Sequence, residues 1–110
     1  MPVLRSLTAA IAIVLSCIAL PALADTVWVD VRSSVEHKVD NIEGDTRISH
    51  SDIVPEIEKL YPDRATPIKL YCRSGGRAGK AEEALRAAGY TDVENVGGIG
   101  DARKRRGLDE

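Results

Sequence analysis

The stretch KLYCRSGGRAGKAEEALRAAGY, Lys69 to Tyr90, decides how this chain is read. An apolar run, Ile68 to Cys72, has the composition of a β-strand and stops at the cysteine. A short loop with two arginines and two glycines follows. From Gly76 the residues Ala78, Ala81, Leu85 and Ala88 recur at helical spacing, with Gly89 as a natural C-terminal stop. A cysteine therefore stands where a strand hands over to a helix.

That position has chemical consequences. Gly75 and Gly76 let the backbone turn sharply, so that its N–H groups can point inward as an anion-binding nest. The start of the helix adds partial positive charge, and Arg73 and Arg77 add full charges. Each of these favours thiolate over thiol at Cys72, and the thiolate is the nucleophile. The same cradle would hold a small anion. A Gly-Gly turn after a strand is also common in structural loops, so the cysteine count matters. The chain has two cysteines, Cys17 and Cys72.

Cys17 lies in an N-terminal segment unlike the rest. Arg5 is the only charge before Asp25, Leu7 to Leu20 is apolar apart from Thr8 and Ser16, and Ala22-Leu23-Ala24 resembles a processing site. This pattern predicts a secretory signal peptide over residues 1–24, with cleavage after Ala24, and a single domain over residues 25–110. The apolar run is short for a membrane span. VLSC, ending at Cys17, loosely resembles a lipid-attachment site, but IALPALA continues the apolar stretch beyond it. Export would leave Cys72 without an internal disulfide partner. A lone thiol in an oxidising compartment is either buried and inert or put to use.

Outward from Cys72, TVWVDV (Thr26–Val31) reads as a strand and SSVEHKV (Ser33–Val39) as a short helical turn capped by Ser33 or Ser34. GDTRIS (Gly44–Ser49) reads as another strand. SDIVPEIEKL (Ser51–Leu60) reads as a helix with Ser51 as a possible cap and a late start forced by Pro55. DVENV (Asp92–Val96) is the last strand, and GGIG turns the chain away. The remaining GIGDARKRRGLDE is read as a short helix or a frayed tail, its basic run Ala102–Gly107 a solvated end. Trp28, Tyr71 and Tyr90 are expected to fill the core. Strands alternating with helices predict an α/β fold with a central, mostly parallel sheet flanked by helices. Ligands of such sheets sit at the carboxyl ends of the strands, where Cys72 and Arg32 fall.

With 15 basic and 17 acidic residues and a net charge of −2, the chain does not have the balance of a general nucleic-acid binder. The composition sets no oligomeric state.

YCRSGGRA followed by AEEALRAAGYTDVENVGGI resembles the active-site loop, helix and last strand of the rhodanese family. VWVDVRSSVEHKVDNIEGDTRIS, Val27 to Ser49, resembles that family's opening block. With a leader and one short domain, the chain is most similar to the single-domain periplasmic thiosulfate sulfurtransferases of the phage-shock-protein-E type. The resemblance implies a small rhodanese-like fold and sulfur transfer from thiosulfate to cyanide or a thiol acceptor, through a persulfide on Cys72. It implies that Arg73, Ser74, Gly75, Gly76, Arg77 and Ala78 cradle the persulfide and the anion, and that Asp30 and Arg32 brace the site. It implies no metal or organic cofactor, and as partners only a small anionic sulfur donor and a thiophilic acceptor. It implies no stable membrane association after cleavage. Two places depart from the family pattern. Asn41-Ile42-Glu43-Gly44-Asp45 replaces a common His-Ile-x-Gly-Ala, and His37 stands where an aromatic often follows the glutamate of the first helix. His37 and His50 are assigned no catalytic role.

Three rivals are weighed on the same residues. Related phosphatases and arsenate reductases use Cys-x5-Arg, one residue longer than the Cys72-x4-Arg77 spacing here. A thiol-disulfide oxidoreductase wants a resolving cysteine, which residues 25–110 lack. A persulfide-carrying delivery protein, or a non-catalytic binding module on the same fold, remains the alternative reading.

Overall fold

A computed structural model of the chain describes residues 25–108. The expected signal peptide, its cleavage point and Cys17 lie outside the described residues.

The strands β1 (Val27–Asp30), β2 (Thr46–Arg47), β3 (Ile68–Cys72) and β4 (Val93–Gly98) form one parallel sheet in the order β2-β1-β3-β4. Parallel neighbours cannot be joined by hairpins, so helices make the crossovers. They are α1 (Ser34–Val39), α2 (Ile53–Leu60) and α3 (Gly76–Ala87), while α4 (Ile99–Arg105) follows the last strand. From β1 the chain steps outward to β2. It then returns past β1 to β3 and continues to β4. The strand order thus reverses between β1 and β3, and the crevice at such a switch point is where α/β sheets hold ligands. The carboxyl ends there are Asp30 and Cys72.

The period-2 alternation of the strands divides the core. Val29 and Val31 from the β1 segment, with Ile68, Leu70 and Cys72 from β3, face Ile53 and Ile57 of α2 and Ala78, Ala81 and Leu85 of α3. Small alanines on α3 let its backbone lie close to the sheet. The opposite face buries Tyr71, Ile42 and Ala102, with Trp28, Val96 and Ile99 packed against them. Tyr71 and Tyr90 are buried as expected, whereas Trp28 is only half-buried beneath Arg106.

Several local expectations need correction. The second strand is two residues long instead of spanning Gly44–Ser49, because only Thr46 and Arg47 pair with β1. Ser51 does not cap α2, whose N-cap is Asp52 after a 3₁₀ turn at His50–Asp52. The late start expected from Pro55 is observed: α2 begins at Ile53, which places the proline in the first turn, where its N–H is not needed.

The largest difference is at GGIG. The strand runs through Gly97 and Gly98, and α4 starts at Ile99. Leu70 pairs with Asn95 and Tyr71 with Gly97, so Val96 is an extra residue in a β-bulge. Gly98 must be glycine for a steric reason. A Cβ there would stand 2.4 Å from the Arg73 carbonyl oxygen, which is backbone and cannot swing aside.

The basic C-terminal run is a helix whose arginines are engaged. Arg103 pairs with Asp40, Arg105 with Glu94, and Arg106 with Asp45 while covering Trp28. Asp45 also accepts from the buried Tyr71 hydroxyl at 2.7 Å. Those contacts dock α4 on the sheet, so the run is not a free solvated end.

Gly98→Ala should lower the unfolding free energy by about 1–3 kcal/mol through overpacking. A urea titration reads this as an earlier midpoint with an unchanged slope. An unmoved midpoint would show that the loop and β4 can separate at no cost.

Candidate functional site

Cys72 ends β3 with 1% of its surface exposed. Beyond it the chain turns through Arg73 and Ser74 to Gly75, the N-cap of α3, which has φ 102° and ψ −16°. That left-handed conformation favours glycine. It also aims the unpaired N–H groups at the start of α3 back toward the sulfur. The Gly75 N–H donates to Cys72 Sγ at 2.9 Å.

Two opposed effects act on the thiol. Burial pushes its pKa up, since a charged sulfur loses water. Backbone N–H groups of Ala78, Ser74, Gly75 and Arg77 pull it down and prevail, so the pKa lies below that of an ordinary cysteine. The depression thus comes chiefly from the peptide backbone. Arg77 also feels the charge on Cys72, but its guanidinium is committed elsewhere. Arg73 is exposed and lines a neighbouring cleft. Ser74 and Gly76 are exposed and Ala78 is fully buried; of the loop residues named from sequence, Ser74, Gly75, Arg77 and Ala78 bring N–H groups to the sulfur, and Arg73 and Gly76 are not among those donors.

Residues from elsewhere hold this loop. Arg77 forms a bidentate pair with Glu36 of α1, at 2.7 and 2.9 Å. Glu36 also completes a capping box, accepting from Ser33 N–H and Oγ. The Arg77 hydrogen bonds, then those from Ser33, hold its carboxyl far below the usual carboxylate range. On the other flank, Asn95 in β4 donates from Nδ2 to the Gly75 carbonyl at 2.9 Å. Its Oδ1 accepts from Gly97 N–H at 2.9 Å. One side chain thereby ties the loop to the bulge.

Asp30 and Arg32 form the floor beside the loop. Asp30 is fully buried and accepts from Arg32 N–H at 2.9 Å, Nε at 2.9 Å and Nη2 at 2.8 Å. Arg32 Nη2 reaches on to the Asp40 carbonyl. Burial acts to raise the Asp30 pKa, but the hydrogen bonds from Arg32 and His37 outweigh it, and the group stays ionised. His37 Nδ1 lies 3.0 Å from Asp30 Oδ2, so this histidine joins the support of the site.

Sequence reading did not single out Glu36 or Asn95. The Ser33-x-x-Glu36 spacing announces the cap but not the ion pair to a residue 41 positions away. Asn95 carries no local signal beyond being a polar residue in a strand.

The site is open on one side. A cleft of roughly 400 Å³ adjoins the loop, between α1 and the start of α4. A second cavity of roughly 550 Å³, around Trp28, Asp45 and Arg106, lies toward the amino ends of the strands, away from the cysteine.

The family described as rhodanese-like domain matches residues 18–101. The chain is 36% identical over 82 residues to thiosulfate sulfurtransferase PspE of Escherichia coli (strain K12), covering 74% of this chain and 79% of that protein. A solved structure of a rhodanese with anions from E. coli superposes with a TM-score of 0.66 at 34% identity. It covers 70% of this chain and 91% of its own. A rhodanese-like domain protein from Staphylococcus aureus gives a TM-score of 0.61 at 27% identity, covering 79% and 82%.

Asn95→Ala should free the Gly75 carbonyl, loosen the ring of N–H donors and raise the Cys72 pKa. Alkylation by iodoacetamide below neutral pH should slow about threefold or more, because only thiolate reacts. In the unsubstituted protein the rate should rise with pH and level off earlier than for free cysteine. The sign follows from the lowered pKa: thiolate persists to lower pH and is lost as pH falls through that value. A profile identical to free cysteine would refute the backbone cradle.

Proposed function

The chain belongs to the rhodanese-like domain family, and from that premise we propose that it is a thiosulfate sulfurtransferase whose Cys72 carries the transferred sulfur. The family and the relatives support sulfurtransferase chemistry in general terms. The observation that carries the finer reading is the ring of backbone N–H groups around Cys72 Sγ. It stabilises a thiolate, and it offers the same donors to an oxyanion arriving at that sulfur. The related E. coli rhodanese was solved with anions, which fits such a cradle.

The proposed reaction has two steps. Cys72 thiolate attacks the outer, sulfane sulfur of thiosulfate. The bond between the two thiosulfate sulfurs breaks, and its electron pair leaves with sulfite. Cys72 keeps the sulfur as a persulfide anion, so the charge balances. Cyanide or a thiolate then attacks the outer sulfur of the persulfide. The new bond forms on the acceptor, and the pair from the broken S–S bond returns to Cys72 Sγ. No net oxidant or reductant is needed.

Within this scheme Cys72 is the nucleophile. Ser74, Gly75, Arg77 and Ala78 supply N–H donors, and Arg73 and Gly76 complete the turn. Asp30 and Arg32 are positioning residues, braced by His37. The six-residue loop from Cys72 to Arg77 suits the sulfane sulfur better than a bulkier phosphoryl or arsenyl group. The leader expected over residues 1–24 would deliver the domain, residues 25–110, to the periplasm. Among the described residues, no helix is long and apolar enough to cross a membrane.

Intact mass before and after thiosulfate tests the scheme. Cys72 should gain one sulfur atom, which cyanide removes with release of thiocyanate, and Cys72→Ser should gain none. Absence of the sulfur adduct from the unsubstituted protein would overturn the assignment.

Glu36→Gln should keep the fold but weaken the bidentate grip on Arg77. Exposed pairs of this kind contribute about 0.2–1 kcal/mol to stability. The larger expected effect is on catalysis: about a tenfold fall in kcat/KM for thiosulfate, from a loop held less firmly. Unaltered kinetics would show that Arg77 needs no tether.

A further inference from the structure

The second cavity, toward the amino ends of the strands, takes no part in sulfur transfer. Its origin lies in the sheet. Strand β2 has two residues and pairs with β1 only from Val29 onward. Val27 and Trp28 therefore have no strand beside them on that side, and the chain before β2 turns at Glu43 and Gly44. The space left is roughly 550 Å³, which suits a small molecule.

The walls of this space have a definite chemistry. Trp28 and Tyr61 give it two aromatic rings. Asp45 gives it a carboxylate whose side chain is only 4% exposed. That carboxylate accepts hydrogen bonds from the Tyr71 hydroxyl and from Arg106 Nη1, and both fall on Oδ2, at 2.7 Å. Oδ1 accepts none from the described residues. Yet among those residues no fully buried side-chain oxygen or nitrogen lacks a partner. Oδ1 must therefore keep a small accessible surface, and the cavity is the open space that Asp45 lines.

A nearly buried carboxylate oxygen calls for a donor from outside. A cationic donor makes that bond about twice as strong as a neutral one. The aromatic walls favour the same sign of charge, because ring faces attract cations. The fold already uses this attraction at Trp28, where Arg106 Cζ lies 4.4 Å from the ring centroid.

We propose that this cavity is a binding site for a small protonated organic amine with an apolar body. The ammonium donates to Asp45 Oδ1, and the body lies against Trp28 and Tyr61. Anions are excluded by the same carboxylate. None of these residues belongs to the Cys72 loop, so the site stands whatever chemistry the cysteine performs.

Trp28 is the only tryptophan of the chain, so its emission reports on this cavity alone. Titration near neutral pH with 2-phenylethylamine, 2-phenylethanol and 3-phenylpropionate holds the body nearly constant and changes the head group. The amine should give a saturable change with a Kd on the order of 1 mM, the strength expected of so small a ligand. The alcohol should bind about tenfold more weakly, and the carboxylate should give no saturable change. Asp45→Asn can still accept from Tyr71 and Arg106, but it removes the charge from the cavity wall. It should weaken the amine about tenfold and leave the alcohol nearly unchanged. Tyr61→Leu keeps an apolar wall without the ring and should weaken the amine about threefold.

Absence of a saturable change with the amine would overturn the proposal. So would equal affinity for amine and alcohol, or full amine affinity in a folded Asp45→Asn protein. Should Asp45→Asn fail to fold, the ranking of the three ligands on the unsubstituted protein and the loss in Tyr61→Leu decide the matter.

Discussion

A sulfur kept almost out of water and ringed by peptide N–H groups that favour its thiolate is the constraint around which this molecule is arranged. Cys72 is nearly buried, and burial alone would hold it as an inert thiol. Peptide N–H groups counter that effect because they carry partial positive charge, cannot titrate, and are fixed by the helix they begin. Their direction depends on a left-handed Gly75, on the Asn95 side chain holding the Gly75 carbonyl, and on β4 lying close enough that only a hydrogen fits at Gly98. The loop, the bulge and the sheet order thus serve one geometry.

The ion pairs serve position more than stability. Asp30 and Arg32 are both buried, and an ion pair taken out of water gains little over an apolar pair of equal volume. Their arrangement does fix direction. Asp30 accepts three hydrogen bonds from Arg32, and Arg32 reaches the Asp40 carbonyl past the end of α1. Helix α1 is thereby set against the switch point, and α1 in turn brings Glu36 to Arg77. At the opposite end of the sheet, Asp45 receives Tyr71 and Arg106, which docks α4. Because α4 begins at Ile99, that distant anchor sets one wall of the cleft beside the cysteine.

Most of the candidate site was legible in sequence because the groups that compose it are local. Cys72, the glycine pair, Arg77 and the start of α3 lie within a few residues, and the strand-to-helix handover fixes their relation. Asp30 and Arg32 were also legible, since the end of β1 must neighbour the end of β3 in a parallel sheet. Glu36 and Asn95 were not, because each acts on a residue 41 or 20 positions away and neither carries a local mark of that role. The Gly97–Gly98 pair was read as a turn by the usual preference of glycine. In fact, close approach of the Arg73 carbonyl requires glycine inside the strand. The basic tail misled for the opposite reason. Its arginines look solvated in a one-dimensional reading, and their acidic partners Asp40, Asp45 and Glu94, in separate parts of the chain, become visible only once the sheet is assembled.

The depth of Cys72 bears on which chemistry the site admits. With 1% of the residue exposed, Sγ itself is hard for an acceptor thiolate to reach. On the proposed route the sulfur to be transferred stands about 2 Å farther out, one S–S bond length from Sγ. An acceptor thus meets the outer sulfur before the inner one. Attack on the outer sulfur transfers it, whereas attack on the inner one would give a mixed disulfide and stall the enzyme. Burial and the backbone cradle are therefore complementary. The first shields Sγ and directs attack outward, and the second keeps Sγ a good leaving group by stabilising the thiolate that must depart. An equally acidic but exposed cysteine would have the leaving-group property without the selectivity. A buried cysteine without the N–H ring would have the selectivity without the reactivity.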